Sequence, residues 1–212
     1  MGFAAPVENS SAVTWDDLLS HARAYVALAS AALALGMLAG IPLGALSSHV
    51  RASRTPVLTL VNIGRVVPSL AMLTFMVPLF GLGFRPALAA LALLAIPPIA
   101  INADLAFRGI PAAALDAAAG MGMTRTQRFA RVEWPLAFPL LFTGVRTAAT
   151  EVIASAVLAA FIGAGGLGEY VTTGLQANQP KWLWTGVAAI AVIALAVEFV
   201  LAFAQRRLEK GR

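Results

Sequence analysis

Ionisable side chains set among apolar residues are the first to account for, because a charge at the centre of a bilayer costs on the order of 2.5–3.5 kcal/mol even on insertion scales. Five such residues stand inside or near apolar runs of the 212-residue sequence: Arg65, Asp104, Arg146, Glu151 and Glu198. Arg146 and Glu151 are roughly 140° apart round a helix and do not pair comfortably within it. Glu151 and Arg65 are expected to face the interior of a bundle, pairing between helices or lining a polar pathway. Arg146, and Pro68 beside Arg65, are candidates for the same pathway. Asp104 and Glu198, near the ends of their runs, are expected to reach the inner interface.

Nucleophilic hydrolysis would need a base at membrane depth; Ser69 and Ser155 are available there, but no His lies within an apolar run. His21 and His49 stand alone near opposite membrane faces and read as surface residues, so no metal site is expected. The absence of cysteine excludes disulfides, iron–sulfur clusters and cysteine-rich zinc sites. Gly163-Ala164-Gly165-Gly166-Leu167-Gly168 formally matches a dinucleotide fingerprint. That fingerprint must follow a strand and open a helix, whereas this segment follows a long apolar run, so the match is accidental. Its glycines supply the positive φ values that let a chain leave one helix and re-enter closely packed. No phosphate-binding G-x-x-x-x-G-K-[ST] loop exists, and the only lysines are Lys181 and Lys210, so this chain does not itself hydrolyse ATP.

The elements that must position these residues are membrane helices. Hydrophobic residues make up 59% of the chain and charged ones 12%, with a mean hydropathy of +0.82. That composition excludes both a soluble globular domain and a disordered chain. A spanning helix needs about 20 mostly apolar residues, and five such runs occur, at about 25–46, 57–80, 86–107, 135–161 and 182–204. They are too long and unbroken for barrel strands. The fold class is therefore all-α, a polytopic bundle with five core spans. Residues 1–22 form a polar extracytoplasmic segment without signal-peptide order, 23–207 the membrane domain with a loop at 109–134, and 208–212 a tail.

Charge sets the expected orientation. The segments after runs one, three and five carry Arg51, Arg54, Arg108, Arg125, Arg128, Arg131, Arg206, Arg207, Lys210 and Arg212, against Arg23, Arg85 and Lys181 on the opposite set. The positive-inside rule puts the N-terminus outside and the C-terminus inside. The basic balance is thus explained by the lipid bilayer, not by nucleic acid. Trp134 falls at the inner boundary, and Trp182 and Trp184 at the outer one. Gly36, Gly40 and Gly44 form a small-xxx-small ridge for close helix packing against a neighbouring helix or a second copy. Pro68, Pro78 and Pro97-Pro98 imply kinks.

The inside loop is the least lipid-like segment. Pro111 can open a helix through the alanine run, Gly120 and Gly122 break it, and Thr124 can cap a second short helix bearing Arg125, Arg128 and Arg131. The result is a helix–turn–helix at the membrane surface, either docking a partner or lying as an interfacial amphipathic segment. Asp116-Ala117-Ala118, three residues, Gly122, nine residues, Val132, one residue and Trp134-Pro135 resembles the EAA loop of ABC-transporter permeases, with Asp for Glu, Val for Ile and Trp for Leu.

The resemblance narrows with GRVVPSLAMLTFMVPLFGLG (64–83), AAGMGMT (118–124), GVRTAA (144–149) and AAFIGAGGLGEYVTTGL (159–175). These are similar to the permeases of the glycine betaine/carnitine/choline osmoprotectant group, over roughly residues 20–207. Methionine importer permeases share the fold, the EAA loop and a GAGGLG segment, and an importer of such an amino acid is the alternative. From other classes, an intramembrane hydrolase or a passive channel is the alternative. The resemblance implies a methionine-permease-like importer fold in the bacterial inner membrane, in which the loop forms a coupling helix. It implies ATPase-coupling positions Asp116, Ala117, Ala118, Gly120, Gly122, Met123, Arg125 and Pro135, and a face toward an extracytoplasmic substrate-binding protein at Gly163, Gly165, Gly166 and Gly168. The partners implied are an ABC ATPase subunit carrying ATP and Mg, that binding protein, and a second permease chain, with no cofactor on this chain.

Overall fold

The computed structural model describes residues 14–210, with side chains at 14–50 and 55–207. The segment 1–13, residues 211–212, and the side chains of Arg51, Arg54 and Lys210 lie outside the described residues. No strand occurs among those described. Helix α1 (Trp15–His49) starts ten residues before the apolar run, because Thr14 caps it by accepting from the Asp17 amide and Asp16 and Asp17 occupy the first turn. Acidic residues there complement the positive end of the helix dipole.

The second expected span is two helices. α2 (Arg51–Val66) and α3 (Ser69–Phe80) meet at 100°. Pro68 has no amide hydrogen to carry the helix across this point, and it holds the extended backbone (φ −57°, ψ 136°) from which α3 starts. Pro97 and Pro98 do not break their helix: α4 (Phe84–Arg108) runs through them, both buried, and Asn102 Nδ2 donates to the Pro98 carbonyl at 2.8 Å. The loop holds α5 (Ala112–Gly120) and α6 (Arg125–Arg128), and a π turn over Phe129–Glu133 feeds α7 (Trp134–Ala156). The fourth expected run thus ends earlier as α-helix and continues as a 3-10 turn over Val157–Ile162. A short α8 (Gly168–Gln176) precedes α9 (Pro180–Lys210). By length and apolarity four helices can span a bilayer, and five if the bent α2–α3 pair is one span.

The centre is α1 laid along α4, with α7 packed against both. Gly36, Gly40 and Gly44 make the first contact possible: a Cβ on Gly40 would sit 2.9 Å from Ile99 Cβ, and one on Gly44 2.9 Å from the Asp104 amide nitrogen. The ridge is consumed inside the chain, so it is not available to a second copy. Gly144 does the same for α7, where a Cβ would stand 2.9 Å from the Pro98 carbonyl oxygen. Leu73, Leu91, Ile99, Val152 and Leu167 fill the core between these helices, and the Tyr25 hydroxyl donates to the Ile153 carbonyl. α9 is peripheral and leaves Val192, Leu195 and Phe199 exposed.

Candidate functional site

The 109–134 loop is shaped by backbone closure at both of its short helices. Pro111 precedes α5 with φ −58° and ψ 131°, one position outside the helix. At the far end the Met123 amide donates to the Ala118 carbonyl (3.2 Å) and the Gly122 amide to the Ala119 carbonyl (2.9 Å), with Gly122 at φ +74°. This pair of bonds is a Schellman closure, and its left-handed position favours glycine. Thr124 and Gln127 then cap α6 reciprocally: the Thr124 amide donates to Gln127 Oε1 at 2.9 Å and the Gln127 amide to Thr124 Oγ1 at 3.3 Å. Between these closures α5 shows Asp116 and Ala117 to the exterior and buries Ala118. Gly120 and Arg125 are exposed, Met123 is half-buried, and Pro135 opens α7.

Behind the loop lies an ion cluster. Glu133 is 4% exposed; its Oε2 stands 2.8 Å from His49 Nε2, and Arg128 Nε donates to its Oε1 at 2.9 Å. Phe107, Phe129 and Trp134 surround the pair, with Phe107 and Phe129 stacked at 5.6 Å. One carboxylate therefore ties α6 to the end of α1. His49 is exposed, as expected, but not alone, because its partner lies 84 positions away.

His21 corrects the same expectation at the opposite end of the bundle. It is 2% exposed, its Nε2 lies 3.3 Å from Glu169 Oε2, and its ring meets Tyr170 edge-on at 5.2 Å. Tyr170 in turn packs on Trp182, which is buried there, whereas Trp184 is exposed. The glycine turn beside them has positive φ at Gly163, Gly165 and Gly166. Gly166 admits the Tyr25 backbone, and Gly168 lies against the Val157 carbonyl and Ala160.

Among the charges inside the helices, Arg146 donates to Glu198 of α9 through Nε (3.1 Å) and Nη2, and to Gln205 Oε1 at 2.8 Å. Glu198 is thus paired across to α7 while its side chain stays 41% exposed. Asp104 is 1% exposed; it accepts from Ser47 Oγ at 2.9 Å and from Arg108 Nε and Nη2 at 2.9 and 2.6 Å. Its charge is answered by its own helix and α1. Glu151 and Arg65 are within electrostatic reach of each other, but no ion pair or hydrogen bond joins them. Pro68 marks the α2–α3 bend beside Arg65. Sequence reasoning missed Glu133 and the pairing of Glu198. The available signal was opposite charges at matching depths on different runs.

Residues 32–212 match the family of binding-protein-dependent transport system inner membrane components. The chain belongs to this family. The permease is 36% identical over 192 residues to the choline transport system permease protein OpuBB of Bacillus subtilis, covering 91% of this chain and 88% of the relative. It is 34% identical, with the same coverage, to the glycine betaine/carnitine/choline transport system permease protein OpuCB of that organism. The osmoprotectant import permease protein OsmY of Salmonella typhimurium is 35% identical over 194 residues, 91% of this chain and 82% of the relative. A solved structure of the MetNI methionine ABC transporter, inward facing, superposes with a TM-score of 0.82 at 24% identity, over 94% of this chain and 99% of that one. That likeness shows the fold, the architecture of an ABC importer permease, while family membership and the apolar helices make the permease a multi-pass inner-membrane protein.

Proposed function

We propose that this permease is the membrane component of an ATP-driven importer for osmoprotectants of the quaternary ammonium class, such as glycine betaine, choline or carnitine. The observation that carries this reading is the 34–36% identity to permeases named for those solutes, sustained over nine-tenths of the chain. Two permease chains enclose the pathway. The 109–134 loop faces the cytoplasm and the glycine turn at 163–168 faces an extracytoplasmic binding protein. ATP and Mg belong to a separate ATPase subunit, since this chain has no phosphate-binding loop.

In this reading α5 is the coupling helix. Asp116, Ala117 and Gly120 are its exposed contact positions, Ala118 seats it on the bundle, and the Gly122 closure fixes its direction. Met123, Arg125 and Pro135 continue the surface toward α7. The transport cycle is a population shift: loaded binding protein and ATP favour the outward-facing state, and hydrolysis resets it. Arg65, Pro68, Arg146 and Glu151 are the pathway candidates.

Gly122 provides the test. A β-branched residue at φ +74° is strained, whereas asparagine tolerates the left-handed region. In the purified complex, Gly122→Val is expected to lower ATP hydrolysis stimulated by loaded binding protein at least tenfold, or to release the ATPase, while Gly122→Asn retains most of it. Full assembly and full stimulation with Gly122→Val would overturn the coupling assignment.

A further inference from the structure

One helix carries more polar surface than a lipid-facing span tolerates. On α7, Thr143, Thr147 and Thr150 repeat at helical spacing, with Arg146 on one flank and Glu151 on the other, roughly 140° apart. The opposite face holds the buried Leu141, Gly144, Ala148 and Val152. The threonine hydroxyls donate to the carbonyls four residues back; Thr143 Oγ1 also accepts from Gln205 Nε2 of α9 at 3.2 Å, while Thr147 and Thr150 are exposed. Arg146 is 32% and Glu198 41% exposed as side chains, so even this ion pair has an open side. The crevice enclosed by α1, α7 and α9, about 140 Å³, offers no substitute route, because Tyr25, Ala29, Val152, Ile193 and their neighbours line it without a charge.

The two flanks differ. Arg146 is anchored across to α9 by Glu198 and Gln205, and Thr150 Oγ1 also donates to Glu198 Oε2 at 3.4 Å. Glu151 has no such anchor; the charge nearest in effect is Arg65, on the helix that ends at the α2–α3 bend. A half-buried carboxylate without an ion-pair partner, beside an exposed guanidinium, matches a solute that carries a fixed cation with or without a carboxylate. We infer that the polar face of α7 is the water-facing wall of the translocation pathway, and that Glu151 meets the cationic head of the passing quaternary ammonium solute while Arg146–Glu198 is a strut that holds the wall in place. The assignment of Glu151 rests on the osmoprotectant reading; the aqueous wall does not.

The chain has no cysteine, so single introduced thiols report on their own surroundings. In the assembled complex in proteoliposomes, Thr147→Cys and Thr150→Cys are expected to react with a membrane-impermeant thiosulfonate at least tenfold faster than Leu195→Cys, which sits on the exposed apolar face of α9. Choline with its binding protein should slow that labelling. Glu151→Gln should lower choline uptake at least fivefold with the amount of assembled complex and its bound ATPase unchanged, and Glu151→Asp should restore part of it. Labelling of the two threonine positions no faster than Leu195→Cys, in a complex that imports choline, overturns the aqueous wall. Undiminished choline uptake by Glu151→Gln overturns its role. A wild-type complex that imports no quaternary ammonium solute contradicts the parent reading and Glu151's role with it, while fast threonine labelling in that same complex would still support the wall.

Discussion

Asp104 and Glu133 illustrate what a buried carboxylate requires in this bundle. Each has two partners, and in each case the partners come from both a sequence neighbour and a distant element: Arg108 and Ser47 for Asp104, Arg128 and His49 for Glu133. Removing one member of a buried pair leaves the other uncompensated, a cost of about 3–5 kcal/mol when both are fully buried. Arg108 is 34% exposed and can turn to water, so Asp104→Ala is expected to cost about 2 kcal/mol, and Asp104→Asn less, read as lowered midpoints of denaturation in detergent. Glu133→Gln keeps the shape but loses the charge that ties α6 to α1. Its expected effect is on coupling: the ATPase remains bound, and the ATP hydrolysed per solute imported rises at least threefold. An unchanged ratio would assign Glu133 to stability alone.

At the scale of elements, close packing is set by glycine. Gly44 faces Ala103, the Ala100 carbonyl and the Asp104 amide across the α1–α4 contact. Gly44→Leu is therefore expected to prevent α1 from seating, seen as loss of monodisperse protein on size exclusion, while Gly120→Leu, which meets nothing within 4 Å, leaves it intact. The helices themselves were legible because apolar length is the only signal a span needs. The glycine ridge, the breaker at Gly122 and the Thr124 cap were legible because each acts within a few residues of itself. The break between α2 and α3 was legible only as a kink. A proline marks where helix bonding fails, but the 100° angle depends on what α3 packs against. The unbroken course of α4 through two prolines has the same origin, since the burial of both rings against neighbouring helices is a tertiary fact. His21 was misjudged as a surface residue, and both it and the exposed His49 as isolated, because their carboxylates lie 148 and 84 positions away. No local spacing rule reaches that far.

At the scale of the whole molecule, the charges fall into three groups with different duties. One group, the arginines of the loop and the C-terminal end, stands in segments between and beyond the apolar runs, with Arg128 shared with the second group. A second, Asp104, Glu133, Glu198 and their partners, ties helices together. The third, Glu151 with Arg65, remains without direct pairing on the polar side of the bundle. The first group can be located from sequence alone, because its place between and beyond the apolar runs needs no contact map. Sequence could not separate the second from the third, because a strut and a pathway charge look alike until the partner is seen. As the permease of an ATP-driven importer, the whole molecule is tested by transport itself. The direct measurement is uptake of labelled choline or glycine betaine into proteoliposomes holding the permease, its ATPase and its binding protein. Accumulation against a gradient is expected, requiring all three proteins and ATP and vanishing when the ATPase is inactivated by substitution. Equilibrating uptake that persists without ATP or without the ATPase would contradict it.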